Sequence, residues 1–237
     1  MKKVLFTMGG KGGTGKTTFL TALAEWYQHH GINCLRLDLD TENKVKGSLS
    51  HFYPGASHKI DIHTRAGLDA FIDYADGEAP LLLADLGAGS GKATYQWFDG
   101  MYESVADQLT FTAIGLVTSD PASVESVLSW AARLQDRVSY VIVLNKHEDD
   151  AGSFAYWEDT AEAQAFRKTF RPRIMTMESR LPALQHALRN HGVTLGQAGD
   201  RRIDIPELAK SSLVIRAQAC QRQLFAEFDR IKEALLP

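Results

Sequence analysis

Met1-Lys-Lys-Val-Leu-Phe-Thr-Met-Gly-Gly10-Lys-Gly-Gly-Thr-Gly15-Lys-Thr-Thr18 opens the chain. Val4–Met8 is a short apolar run of the kind that forms a buried strand. Lys16 to His30 reads as a helix with Phe19, Leu20, Leu23 and Tyr27 on one face and Gly31 as its stop. Between them Gly10-Lys-Gly-Gly-Thr-Gly15-Lys16-Thr17 satisfies the pattern G-x-x-x-x-G-K-[ST] in the strand–loop–helix context that gives it meaning. Gly10, Gly12, Gly13 and Gly15 let the backbone curl, so that N–H groups from Lys11 through Thr18, Thr14 included, can point at phosphate oxygens. The helix N-terminus adds its positive end. In this reading Lys16 places its charge on the β- and γ-phosphates and the Thr17 hydroxyl ligates Mg²⁺.

Working outward, short apolar runs alternate with amphipathic stretches. Strands are expected at Cys34–Leu39, Leu81–Ala84, Thr110–Thr118, Val138–Leu144 and near 173–176. Helices are expected at 65–75, after Gly91 through about 107, at Pro121–Gln135 with proline in the first turn, at 156–170, at 180–191 and at 207–235. Residues 41–63 read as a loop-rich insertion, and 192–205 as loop. Such alternation implies one α/β domain over 1–237, with a mostly parallel twisted sheet covered by helices on both faces. Ligands then belong beyond the carboxyl ends of the strands. Gly10–Thr18, Asp38, Asp40, Asp85 and Asn145 all fall there.

Composition bounds the function without naming it. The 237 residues carry a net charge of −3, which excludes a strong overall electrostatic attraction to nucleic acid. The excess is acidic up to about residue 150 and basic beyond it, so the last third could meet phosphate backbone or an acidic partner, or be a solvated face. Cys34 and Cys220 are too far apart for a disulfide framework or a C-x-x-C metal site. The apolar stretch near the N-terminus is too short for a signal peptide, and no run reaches the length of a spanning helix. A soluble cytoplasmic protein is expected.

The second lysine of the loop sharpens the reading. Lys11-Gly-Gly-Thr-Gly-Lys16-Thr17-Thr18 resembles the deviant Walker A motif, K-G-G-x-G-K-[ST]-[ST], of the ParA/MinD family of P-loop ATPases. The resemblance implies ATP and Mg²⁺ as cofactors and a homodimer closed around ATP. It also implies that Lys11 reaches the nucleotide of the other subunit, neutralising transition-state charge as an arginine finger does. Asp85 ends the most apolar strand, has the form of a Walker B carboxylate, and is followed by a glycine-rich turn able to sense the γ-phosphate. Many relatives have proline in this turn, where this chain has Asp85-Leu-Gly-Ala-Gly. Asp38 and Asp40 resemble the family's D-x-D switch I segment. The resemblance gives Asp40 the hydrolytic water and leaves Asp38 to contact the metal shell or to order the loop. The segment after Asp40 departs from the family pattern and leaves Asn43 without an assigned role. Lys11, Lys16 and Asp40 are thus the candidate catalytic residues, and Thr17, Asp38 and Asp85 the candidate metal residues.

Asn145-Lys-His-Glu148 follows the strand at 138–144, and in the family an asparagine here meets the adenine edge. The guanine motif N-K-x-D would need aspartate where Glu148 stands one methylene longer, which favours ATP over GTP. The output is less legible. A ParA-like ATPase of plasmid or chromosome partition, or of DNA transfer, would bind DNA nonspecifically and meet a centromere-binding or activator protein. Arg167, Lys168, Arg171, Arg173, Arg201, Arg202, Arg216 and Arg222 would supply the charge. No helix-turn-helix is evident, and the short form of partition ATPase is expected. A MinD-like ATPase would need residues 223–236 as a membrane helix, but Glu227, Asp229 and Glu233 on its polar face fit a core-packing helix better. A maturation or metallochaperone ATPase, or an ATP-dependent ligase on the same fold, is the remaining alternative.

Overall fold

Lys2–Met8 forms β1, and its last five residues are buried. The structure, a computed structural model, describes residues 1–41, 46–146 and 154–237. After β1 come α1 (Lys16–His29), β2 (Cys34–Leu39), α2 (Leu49–Phe52), β3 (His58–Lys59), α3 (Arg65–Asp76) and β4 (Leu81–Leu86). A 3₁₀ turn at Ala88–Ser90 leads into α4 (Gly91–Val105), β5 (Leu109–Val117), α5 (Pro121–Leu134) and β6 (Ser139–Asn145). The chain ends with α6 (Ala155–Asp159), α7 (Ala161–Phe170), β7 (Arg173–Met177), α8 (Pro182–His191), α9 (Leu195–Ala198), α10 (Ser211–Arg230) and α11 (Lys232–Leu235).

The seven strands lie in the order β3-β2-β4-β1-β5-β6-β7, and every pairing is parallel. Strands buried on both faces explain why β1, β4 and β5 are mostly apolar rather than alternating. Odd-numbered Leu5, Leu81 and Leu83 pack with α1 and α10, whereas Val4, Phe6, Leu82 and Ala84 pack with Phe98 of α4 and Val127 of α5. That alternation decides which face each site residue occupies.

Three expectations need correction. Residues 41–63 are not all loop: Ser48 precedes α2, and β3 adds a short edge strand beside β2 through Leu37↔His58. A two-residue strand is too short to show a period, so the pattern could not reveal it. The helix expected over 156–170 is broken at Thr160, whose ψ of 141° is extended and starts α7 anew. Residues 192–205 contain α9, whose Thr194 and Gln197 form a capping box.

The amphipathic C-terminal segment packs into the core. Leu224, Phe228, Ile231 and Leu235 are buried, and Phe228 sits edge-on to Phe19 at 5.5 Å and beside Trp26 at 5.9 Å. Among the described residues no helix is long and apolar enough to cross a membrane.

Candidate functional site

The loop between β1 and α1 is held open from behind. Gly15 caps α1 in the left-handed region with φ 92°, and a Cβ there would lie 2.8 Å from Asn145 Nδ2. Glycine is therefore required both by conformation and by space. No side chain caps α1 and its first turn carries no acidic residue, so its leading N–H groups face the loop's interior. This leaves the positive helix end for an anion. Asn145, buried at the end of β6, donates Nδ2 to the Thr14 carbonyl at 2.9 Å and buttresses the loop. The contact fixes the flip of the amide and keeps Oδ1 as an acceptor. A recess lined by Gly15, Thr18, Asn145, Lys146, Met177 and Glu178 adjoins this end of the loop. Lys146 and Glu178 close it with an ion pair of 2.8 Å. Asn43 and Glu148, also singled out by sequence, lie outside the described residues.

The two lysines divide. Lys16, only 8% exposed, turns inward and donates to the Lys11 carbonyl at 3.0 Å. Lys11 stands at the rim with 43% of its side chain exposed and pairs with Asp120 at 2.9 Å. Gly10 donates its N–H to Ser126 Oγ, so the first half of the loop leans on α5.

The carboxylates line up across the sheet because of strand order. β4 lies between β1 and β2, and Asp38 is paired in register with Asp85. Thr7, Asp38 and Asp85 all belong to the face that α1 covers. Thr17 donates its hydroxyl to Asp85 Oδ2 at 2.6 Å, and Thr7 donates to Oδ1 at 3.4 Å. Thr7 in turn accepts the Leu86 N–H at 2.9 Å, a role that a threonine inside an apolar run does not advertise. Burial pushes the Asp85 carboxyl up to about 7; the Thr17 hydroxyl opposes this, Asp38 and Asp40 add repulsion, and Lys16 opposes it. Asp38 is fully buried, with Oδ1 accepting from the Asp40 N–H at 3.2 Å and Oδ2 from the Ser50 N–H at 3.0 Å. Lys59 reaches the same Oδ2 at 3.7 Å. That is the loop-ordering arrangement, tying the end of β2 to α2 and β3.

This donor set fits a hard divalent cation. The Thr17 proton is committed to Asp85, which leaves the hydroxyl lone pairs for a metal. A positive charge would relieve the Asp85 carboxylate, which burial raises first and repulsion from Asp38 and Asp40 raises further. Thr17 and Asp85 would hold Mg²⁺ or its bound water, and the ion would supply neutralisation of phosphate charge.

Asp40 lies just past β2, buried, in a cleft of about 590 Å³ that it shares with Lys16, Thr17 and Gly87. Gly87 presses on it so closely that a Cβ at residue 87 would collide with the Asp40 carboxylate. The glycine standing where many relatives have proline is thus a contact between the two segments that flank the loop. Sequence reasoning marked the departure at 87 and missed the contact.

The eight expected basic residues do not form one face. Arg167 and Lys168 stand on α7, which packs with α5, whereas Arg216 and Arg222 stand on α10, which packs with α1 on the other side of the sheet. Arg167 also lies over Trp157 and donates to the Glu158 carbonyl at 2.7 Å.

A glycine-curled loop after β1, an inward lysine, a hydroxyl on the first turn of α1 and a carboxylate at the end of β4 define a P-loop nucleotide-binding protein. More narrowly, the chain belongs to the CobQ/CobB/MinD/ParA nucleotide-binding domain family, whose profile matches residues 5–165. Its fold is similar to that of the MinD cell division protein of Aquifex aeolicus, with TM-score 0.53 and 14% identity over 99% of this chain and 98% of that one. It is also similar to McdA of Cyanothece in an ATP complex, with TM-score 0.52 and 15% identity over 99% and 96% of the two chains. Comparison with curated protein sequences gave no match.

Proposed function

We propose that this protein is an ATP-driven switch, in which two copies close face to face over ATP·Mg²⁺ and reopen after slow hydrolysis. The observation that carries the reading is the contrast between its lysines. Lys16 is buried in its own cradle, whereas Lys11 is exposed at the rim, which supports a role for Lys11 at a neighbouring site. Lys16 and the loop N–H groups bind the triphosphate, and Asp40 orients the attacking water. Lys11 arrives from the partner to stabilise charge on the transferring phosphoryl group. Asn145 supports ATP over GTP, since the acceptor Oδ1 suits the exocyclic amine of adenine and not the keto oxygen of guanine.

The closed dimer acts in partition or transfer of DNA through nonspecific duplex binding. Exposed Arg201, Arg216 and Arg222 on the α9–α10 side supply the phosphate contacts. A membrane output is disfavoured because the apolar face of residues 223–235 is buried in the core. The test is the Asp40→Ala variant in saturating ATP·Mg²⁺, followed by light scattering and by duplex retention at rising salt. A stable dimer that retains arbitrary DNA at low salt and releases it steeply as salt rises is expected. Lys16→Ala should lose nucleotide binding, and Lys11→Ala should keep binding but lose the dimer. A strictly monomeric Asp40→Ala protein refutes the switch, and a dimer indifferent to DNA refutes the output.

A further inference from the structure

Asp120 has two duties that a sequence reader would count as one. As N-cap of α5 it accepts the Ala122 N–H on Oδ1 at 2.9 Å, with Pro121 following in the first turn. Its other oxygen, Oδ2, holds the Lys11 ammonium at 2.9 Å. The cap fixes the carboxylate, so little further ordering is needed to receive the lysine. Lys11 also holds the Asp120 carboxyl below its ordinary range. The loop backbone is anchored separately through Gly10 and Ser126 on the same helix, so Lys11 can swing without moving the cradle.

We propose that Asp120 is a positioning residue that holds Lys11 within its own subunit and makes closure of the dimer contingent on a triphosphate. The proposal rests on the dimer reading above. A lysine leaving a carboxylate for a neighbour's cradle exchanges one anionic partner for another. The exchange is favourable when the cradle holds the larger charge of ATP and less so with ADP. Asp120 therefore opposes closure by subunits that lack the γ-phosphate.

Asp120→Asn tests this, because asparagine caps a helix as well as aspartate but lacks the charge. In the nucleotide-free full-length protein, acylation of Lys11 by acetic anhydride, quantified by mass spectrometry, should run several-fold faster in Asp120→Asn than in wild type. Lys146, still paired with Glu178, serves as the unchanged reference. With a non-hydrolysable ATP analogue, the concentration midpoint of dimerisation in the ultracentrifuge should fall by about 2- to 30-fold, since two such exposed pairs are released per dimer. Dimers should also form with ADP at lower concentration, and Asp120→Glu should restore the wild-type labelling rate. An unchanged labelling rate overturns the proposal. So does an unmoved midpoint in a protein that dimerises, and a raised midpoint would place Asp120 in the closed dimer instead. If wild type and variant both stay monomeric with the analogue, the dimer reading fails and this proposal falls with it.

Discussion

Asp85→Asn should stabilise the nucleotide-free protein, and only at neutral and alkaline pH. The wild-type carboxyl is pushed from 3.8 up to about 7, by burial first and by Asp38 and Asp40 after it. A folded-state pKa above the unfolded one means that the native state binds the proton more tightly. The stability this confers is fully present below about pH 4 and is lost as pH rises through about 7. At about 1.4 kcal/mol per pH unit the whole effect is bounded at about 4 kcal/mol, and about 2.5 kcal/mol of it falls between pH 5 and pH 8. Asparagine keeps an acceptor for the Thr17 hydroxyl and cannot ionise. Urea unfolding of both proteins in chelator at pH 5 and pH 8 measures the difference, and other titrating groups cancel in the subtraction. The stability of the variant minus that of wild type should grow by about 2.5 kcal/mol from pH 5 to pH 8, or roughly 5–10 °C in Tm for a chain of this size. Mg²⁺ added at pH 8 should narrow the gap by stabilising wild type alone. A difference that stays constant or shrinks with pH would refute the reasoning, since the buried carboxylate would then carry no charge penalty.

Three further outcomes follow from single contacts. Gly87→Ala places a methyl group against the Asp40 carboxylate and should cut ATP turnover at least tenfold while ATP affinity, measured by calorimetry, stays within a few-fold of wild type. Asn145→Ala leaves the Thr14 carbonyl without its donor and should weaken nucleotide binding by about 1–3 kcal/mol, read as the dissociation constant of a fluorescent ATP analogue. Phe228→Ala empties a site between Phe19 and Trp26 and should destabilise the protein by about 3–5 kcal/mol, whereas a membrane-anchoring role would predict lost liposome binding with unchanged thermal unfolding.

The fold was legible because parallel strands buried on both faces have apolar runs and their ligands collect at one end. β1, β2, β4, β5 and β6 could be placed within a residue or two from such runs alone. The loop was legible for a different reason: its chemistry requires glycine, lysine and threonine at fixed spacing, so sequence and function coincide. What escaped was contact between segments far apart in sequence. Thr7 meets Asp85 between neighbouring strands, and Asp40 meets Gly87 between the segments that follow β2 and β4. Each partner is common in its own setting: a threonine inside a strand, a glycine in a turn. Their meaning depends on strand order, which no local pattern records. The placement of the basic residues was likewise out of reach: α7 and α10 come back to opposite faces of the sheet, and only the topology separates their arginines.

Strand order also explains why Asp85 meets both the loop and the D-x-D segment. With β4 inserted between β1 and β2, Asp85 has the loop that follows β1 on one side and the D-x-D segment of β2 on the other. Asp38↔Asp85 in register, on the face covered by α1, brings the carboxylates of β2 and β4 together beside the Thr17 hydroxyl. A slip of one residue in β4 would turn Asp85 to the face of Leu82 and Ala84, away from Thr17 and α1, and no adjustment of the loop could restore it. The apolar residues of β4 therefore do more than fill the core: by fixing the register they set the distance between the Asp85 carboxylate and the loop. Asp38 and Asp40 repel the Asp85 carboxylate because the register brings the ends of β2 and β4 together. Asp38 also accepts the Ser50 N–H in the first turn of α2, and Asp40 lies against Gly87. Both segments flanking the loop are thus tied to the carboxylates around Asp85, and neither can shift without disturbing them.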